Sequence, residues 1–315
     1  MTKYLRGDLL ILTNKGIKRV DKLEKTDLIV SISDDKPYFE EIEDINKEFL
    51  KKYKLNKIKL SNSIENYYLN DNVKIKVLQN IPTNVHINQI PDYLDENKHR
   101  CITTTTVSNL TDFDYIGFPI FDDYNYSGTD NYNETDDDYY RFQGLLLNYD
   151  ETSYNLNNIN NEKTIGFLTK YLHNNNIKYE ITNDNIKTVI TFDKKTISKI
   201  TFEDILKLKK INLYYLFKGL TEVNKQITTN NKNLYFIIKY IALTFGILIS
   251  SNFINDKLVI KIPEINDIKY NYIVYDNYIW NKIKYISKID CVKCNLFSLT
   301  LKNNKPYLTD TGVIS

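Results

Sequence analysis

Cys291-Val-Lys-Cys294 has the spacing of a zinc-binding pair, in which two thiolates grip a soft divalent ion. No second CxxC or HxxxH follows it, so the plainer reading is two cysteines in a half-buried, strand-rich segment. Lysine is the other chemical resource. Asp193 to Lys232 carries nine Lys against four acids, and Asn281 to Lys305 carries six against one. An ammonium can hold a phosphate oxygen as a point charge. Neither stretch contains Arg, which rules out bidentate guanidinium contacts to guanine there and leaves phosphate contacts. The candidate DNA-contacting residues are Lys194, Lys195, Lys199, Lys282, Lys284 and Lys288. The competing reading makes them solvated faces of a Lys-rich protein.

The whole-chain numbers limit what such residues can do. A formal net charge of +2, from 42 basic and 40 acidic residues, excludes a protein that coats nucleic acid through a dominant positive field. Hydrophobic residues at 42% and charged residues at 26% exclude wholesale disorder and fibrous architectures. At 315 residues there is room for one large or two ordinary domains. The chain holds 26 Tyr, four Arg and one Ala (Ala242), which reads as drift in an AT-rich genome. Leu9 to Leu12 is too short for a signal peptide, and Lys239 interrupts the most apolar stretch, Tyr235 to Ile249. No membrane segment is expected. Three cysteines make no disulfide framework, so the expected setting is an intracellular, reducing compartment (cytoplasm, nucleus or virion).

The elements that must position these residues fall into three regions. The first 120 residues read as strands and turns. Asp8 to Thr13 is an apolar run, Asn14-Lys-Gly16 a hairpin-type turn, and Val73 to Val77 alternates with period two. Asp114 to Pro119 closes this region, with Gly117 and Pro119 as breakers. Between Phe121 and Tyr140 there are seven acids and no Lys or Arg, as in a self-repelling linker. Beyond it a pattern repeats. Tyr139-Tyr-Arg-Phe-Gln-Gly-Leu145 matches Tyr214-Tyr-Leu-Phe-Lys-Gly-Leu220 at an offset of 75, and Phe167 to Tyr171 matches Phe236 to Tyr240 at 69. Each copy reads helix, short connection, helix, strand, strand, with Asn174 to Asn176 ending one second helix and Gly246 the other. The last 35 residues return to strands.

In this order the pieces resemble an intein carrying a LAGLIDADG homing endonuclease. Tyr4-Leu-Arg-Gly-Asp-Leu-Leu-Ile11 is similar to the opening splicing block, and Asn14 to Asp21 to its sequel. Leu296 to Leu301 with Tyr307 to Ile314 is similar to the closing block. Phe142 to Asp150 and Phe217 to Lys225 fall where the two LAGLIDADG helices belong. The resemblance implies an α+β fold: a β-rich Hint-like domain from both chain ends (1–120 and 281–315), an acidic linker (121–138), and an inserted, duplicated LAGLIDADG-like α/β domain (139–280). The repeats run over about 139–211 and 212–280.

It also implies where chemistry should sit. Splicing needs Cys or Ser at the first position, because the acyl shift requires a thiol or hydroxyl on that β-carbon; Tyr4 stands there. The Thr-x-x-His block, aligned by the strand after it, falls at Leu69-Asn-Asp-Asn72 and lacks both functional residues. The literal match Thr83-Asn-Val-His86 lies further on, where His86 reads as a loop histidine. The closing His-Asn would begin at Ser315. In the nuclease, each helix should end in a carboxylate that holds a hard divalent cation; counted from Gly144 and Gly219, those positions hold Tyr149 and Asn224. Asp150 and Glu222 lie nearby but out of phase on a helix turning about 100° per residue. Asn148 and Val223 replace the small residues before the acid, which implies helices lying farther apart than in the family. The hairpins that would read the major groove have room only as stubs. The expectation is therefore a protein without enzymatic activity or cofactor: a binding or structural subunit of an intracellular or viral assembly, retired from a mobile element. Its expected partners are another protein and duplex DNA held non-specifically. The alternative is an active LAGLIDADG-type DNA endonuclease; a sequence-specific DNA regulator would need longer hairpins.

Overall fold

The computed structural model describes residues 4–33, 36–62, 66–120, 137–147, 155–156, 161–184, 187–192, 198–206, 208–222, 226–254, 257–263, 272–309 and 312–314. Two compact units form: Met1–Tyr124 with Ala242–Asn252 and Glu264–Ser315, and Asn125–Ile241 with Phe253–Pro263. Both are mixed α and β with antiparallel pairing.

The first unit opens with β1 (Leu5–Arg6), β2 (Leu10–Thr13), β3 (Gly16–Arg19), β4 (Leu28–Ser33), β5 (Lys36–Leu60), β6 (Asn66–Leu69) and β7 (Lys74–Leu78). The expected turn joins β2 to β3, with Gly16 at φ 107, a backbone shape that a Cβ would strain. In β7 the period-two pattern buries Ile75 and Val77 completely. A helix, α1 (Ile90–Cys101), then interrupts the strands that the sequence led us to expect throughout. Pro91 sits in its first turn, and Ile90, Leu94 and Cys101 are its buried residues. Polar residues surround that narrow stripe, which hid the helical period. Next come β8 (Ile102–Thr106) and β9 (Tyr115–Pro119). Gly117 does not break β9; it lies within the strand because a Cβ there would meet the Trp280 ring at 2.8 Å.

In the second unit the elements are α2 (Asp137–Leu147), β10 (Asn155–Leu156), α3 (Glu162–Asn174), β11 (Tyr179–Asp184), β12 (Lys187–Phe192), α4 (Phe202–Leu206), α5 (Lys210–Glu222), β13 (Gln226–Thr229), α6 (Lys232–Thr244), β14 (Ser250–Ile254) and β15 (Lys257–Lys261). The last residues of α6 and the first of β14, within Ala242–Asn252, belong to the first unit. Apart from α4, the order helix, strand, helix, strand, strand occurs twice. Each copy makes a three-stranded sheet of one topology, β10-β12-β11 and β13-β15-β14. Even the helix ends repeat. After α3, Asn176 (φ 55) turns the chain and the Ile177 amide donates to Leu172 O at 2.9 Å; after α6, Gly246 (φ 69) does so and Ile247 donates to Ala242 O at 2.9 Å. This is the left-handed cap that stops a helix. Most of the acidic linker lies outside the described residues; Asp137 and Asp138 form the first turn of α2, where the helix dipole favours negative charge.

The chain returns to the first unit with β16 (Tyr272–Tyr275), β17 (Tyr278–Leu301), β18 (Tyr307–Thr309) and β19 (Gly312–Ile314). β17 runs antiparallel to β5 from Ile283↔Leu60 to Leu301↔Ile42. The early strands and the late ones share one 13-stranded sheet, with β18 beside β4 and β2, and β19 beside β7. Leu5, Ile11, Ile29, Ile58, Ile75 and Ile116 are among the fully buried residues of its core.

Candidate functional site

Two places bear on the chemistry: the crossing of α2 and α5 in the second unit, and the neighbourhood of β1 in the first.

Gly144 and Gly219 meet at the helix crossing. A Cβ on Gly144 would lie 1.9 Å from the Leu216 carbonyl oxygen, and one on Gly219 would lie 1.9 Å from that of Arg141. The relation is reciprocal: each glycine faces the carbonyl three residues before the other. Only residues without a side chain allow backbones this close. The expectation of helices held farther apart is thus corrected. It rested on Asn148 and Val223, whereas the crossing point is a turn earlier, at the glycines. Phe142, Leu145 and Leu146 of α2 pack with Leu168, Tyr171 and Leu172 of α3 and with Ile190 and Phe192 of β12.

Tyr149, Asn224 and Asp150 lie outside the described residues. Glu222, the last residue of α5, is described, and it is occupied. Arg141 of α2 donates to both carboxylate oxygens, with Nε to Oε2 at 2.8 Å, and the Thr164 hydroxyl donates to Oε1 at 3.2 Å. The Arg141 guanidinium also stacks over Phe167, 3.8 Å from the ring centre. Side-chain exposures of 18% and 13% make this a largely buried pair. An arginine fork of this kind is stronger and more directional than an ordinary surface ion pair.

In the first unit the pairing register gathers the expected splicing positions along the sheet. Leu5, next to Tyr4, pairs with Leu69 of β6 and Phe297 of β17. Asn72 follows β6 by three residues, in a turn where its amide donates to Asn70 Oδ1 at 2.6 Å. Ile314 pairs with Ile75, so the final strand ends beside the chain just beyond Asn72; Ser315 lies outside the described residues. The Tyr4 hydroxyl donates to Glu48, and its ring stands edge-on to Tyr53 at 5.8 Å. Burial pushes the Tyr53 phenol above its ordinary pKa. Asp71 accepts from Asn56 at 2.6 Å and Lys288 at 3.3 Å, and the Asn56 bond leads in holding its carboxyl below the usual range. This network was not legible beforehand, since it joins residues more than 200 positions apart. His86 stands at the start of a short turn before α1, with its amide 3.3 Å from Gln89 Oε1, as a loop histidine would.

The candidate lysines do not form one surface. Lys194 and Lys195 lie outside the described residues. Lys199, in the second unit, is half-buried. Lys282, Lys284 and Lys288 all lie on β17 of the first unit; Lys284 is exposed, Lys282 is half-buried beside Tyr115, and Lys288 is paired with Asp71. Among the described residues, no group of three His, Cys, Asp or Glu could hold a metal ion. Cys291 is disulfide-bonded, which removes the thiolate a zinc pair needs and was not foreseen in the expectation of a reducing compartment. Cys101 is free and buried, and burial raises its thiol pKa. No helix among the described residues is long and apolar enough to cross a membrane.

No family model matches the chain, and no curated protein matches it. Among solved structures it is similar to the homing endonuclease I-DmoI. A structure of mesophilic variants of that enzyme matches at 15% identity and a TM-score of 0.31, covering 42% of this chain and 94% of the other. Its complex with DNA and Mn matches at 16% and 0.30, covering 42% and 94%. Its complex with DNA and Ca matches at 15% and 0.30, covering 41% and 86%.

Proposed function

We propose that this chain derives from an intein with an inserted LAGLIDADG homing endonuclease, neither splices nor cuts, and serves as a binding or structural subunit that touches duplex DNA through phosphates. The observation that carries the reading is the Arg141–Glu222–Thr164 lock. The carboxylate nearest the second expected metal position already has an arginine fork and a hydroxyl on its oxygens. A hard cation would have to displace that arginine to gain a ligand. Tyr4 supports the loss of splicing, because its phenol cannot reach its own carbonyl as a Ser or Cys nucleophile does. The register that gathers the β1 start, the Asn72 turn and the β19 end along one sheet supports a Hint-like origin. One observation favours the alternative, an active endonuclease: the tight glycine crossing is a geometry in which two helix C-terminal ends can share a metal site.

The test is incubation of the purified chain with supercoiled plasmid and a random-sequence library in Mg²⁺ and in Mn²⁺. Intact DNA is expected with either ion. Metal-dependent cutting at a defined site that is lost in Asp150→Ala would overturn the reading and establish the alternative.

A further inference from the structure

Between its pairing with β4, which ends at Leu28↔Glu41, and its pairing with β6, which begins at Asn56↔Leu69, β5 of the first unit runs alongside β17. There the two strands form a long ribbon. Its charge is lopsided. From Lys47 to Lys59, β5 holds six Lys against the single acid Glu48; the residues facing it, Tyr285 to Phe297, hold two Lys against Asp290. Both acids are engaged, Glu48 by the Tyr4 hydroxyl and Asp290 by Lys52 at 3.5 Å. Acids crowd the other end of β5 and are answered there: Glu41 by Lys302 at 2.9 Å and Asp44 by Lys25 at 3.2 Å. Lys47, Lys51 and Lys54 are exposed. Alternation places Lys47, Phe49, Lys51 and Tyr53 on one face, with Phe49 56% exposed.

We propose that this ribbon is a duplex-DNA-binding surface that grips the phosphate backbone without reading sequence. It deepens the DNA-contact part of the function proposed above and rests on it. From Phe49 to Leu55 of β5 and Ile289 to Asn295 of β17, between the β1 and β6 pairings, two strands about 4.8 Å apart make a bar that the roughly 12 Å major groove accepts. Lys47 to Lys54 spans about 23 Å at 3.3 Å per residue, so its ammonium groups can meet phosphates on both sides of the groove. Neither strand contains Arg, which removes the usual bidentate reader of guanine. Exposed ammonium groups beside an exposed ring match the charge and the sugar-phosphate surface of a duplex.

The experiment measures binding of the whole chain to a random 30-base-pair duplex by fluorescence anisotropy from 50 to 200 mM salt. Three proteins are compared: wild type, K47Q/K51Q/K54Q, and K170Q/K261Q, two exposed lysines of the second unit. The ribbon variant should bind at least about tenfold more weakly at low salt, with the slope of log K against log salt reduced by about 2.7 (three contacts at 0.9 each). The second variant should match wild type. Acetylation of wild-type Lys47, Lys51 and Lys54, read by mass spectrometry, should slow when duplex is added, a readout that requires no variant to fold. Wild-type binding with unchanged ribbon-variant affinity and unprotected lysines would overturn the ribbon while leaving DNA contact standing. No wild-type binding at 50 mM salt, or binding to single-stranded RNA alone, would overturn both.

Discussion

Gly144 and Gly219 give the most exacting test of the second unit. In Gly219→Ala the new methyl would lie 1.9 Å from the Arg141 carbonyl oxygen, against a normal carbon–oxygen contact of about 3.3 Å. The obstacle is backbone, so no rotamer change relieves it, and α2 and α5 must separate by an ångström or more. Alanine returns about 1 kcal/mol of helix propensity. Overpacking of this kind costs about 1–3 kcal/mol and more where backbones must shift, and separation also loosens the packing around Phe142 and Leu145. A net loss of about 2–3 kcal/mol is expected for either single variant. The pair should lose less than the sum, because one methyl has already parted the helices when the second arrives. Gly166 is the internal control: it is helical and exposed in α3, with nothing within 4 Å of where a Cβ would stand, so Gly166→Ala should stabilise by about 0.5–1 kcal/mol. Urea denaturation followed by circular dichroism reads all four proteins. Neutral or stabilised Gly144→Ala and Gly219→Ala would refute the close crossing, and full additivity would refute the claim that both methyls act on one gap.

Arg141→Met strands the Glu222 carboxylate in a largely buried site and should cost about 3 kcal/mol by the same denaturation assay, whereas R141M/E222L should recover much of that loss. Asp27 predicts acid sensitivity in the first unit. Its burial opposes ionisation, but Lys18, the Glu24 amide and Lys15 outweigh burial and hold its pKa below the ordinary value. A depressed folded-state pKa gives stability that is present above the unfolded value of about 3.9 and lost as pH falls through the folded one. Urea midpoints between pH 7 and pH 2.5 should therefore fall less steeply for Asp27→Asn than for wild type. Gly312→Ala, at φ 127 and with its Cβ 2.7 Å from Ile116, should lower the thermal midpoint of the first unit by several degrees, about 2 kcal/mol.

The duplication was legible because the constraint that preserves it acts on single positions. A glycine cannot change where a carbonyl sits 1.9 Å from its missing Cβ, so Gly144 and Gly219 kept the 75-residue offset visible. The caps at Asn176 and Gly246 stood out for the same kind of reason, a backbone shape that few residues accept. What the sequence hid depends on distance along the chain. Arg141 and Glu222 are 81 residues apart, and nothing local marks them as partners. The basic run on β5 lies far in sequence from the lysines of β17, and only the register of the β5–β17 pairing makes them one surface. Helix α1 was not legible because its three buried residues in twelve give little periodic signal.

The pairing of β5 with β17 also sets an order of events during synthesis. Residues 36–60 leave the ribosome more than 200 residues before their partner at 278–301 exists. At about 5–20 residues per second, that wait lasts on the order of 10 to 50 seconds. Through it, residues 42–55, the stretch of β5 between its pairings with β4 and β6, have no mate, while most of the second unit, encoded between the two, can already collapse on its own core. An unpaired strand is a template for aggregation, and lysines along it are a known safeguard. Lys47, Lys51, Lys52 and Lys54 lie along that unmated stretch, where charge opposes edge-to-edge pairing until β17 arrives, whatever they touch afterwards.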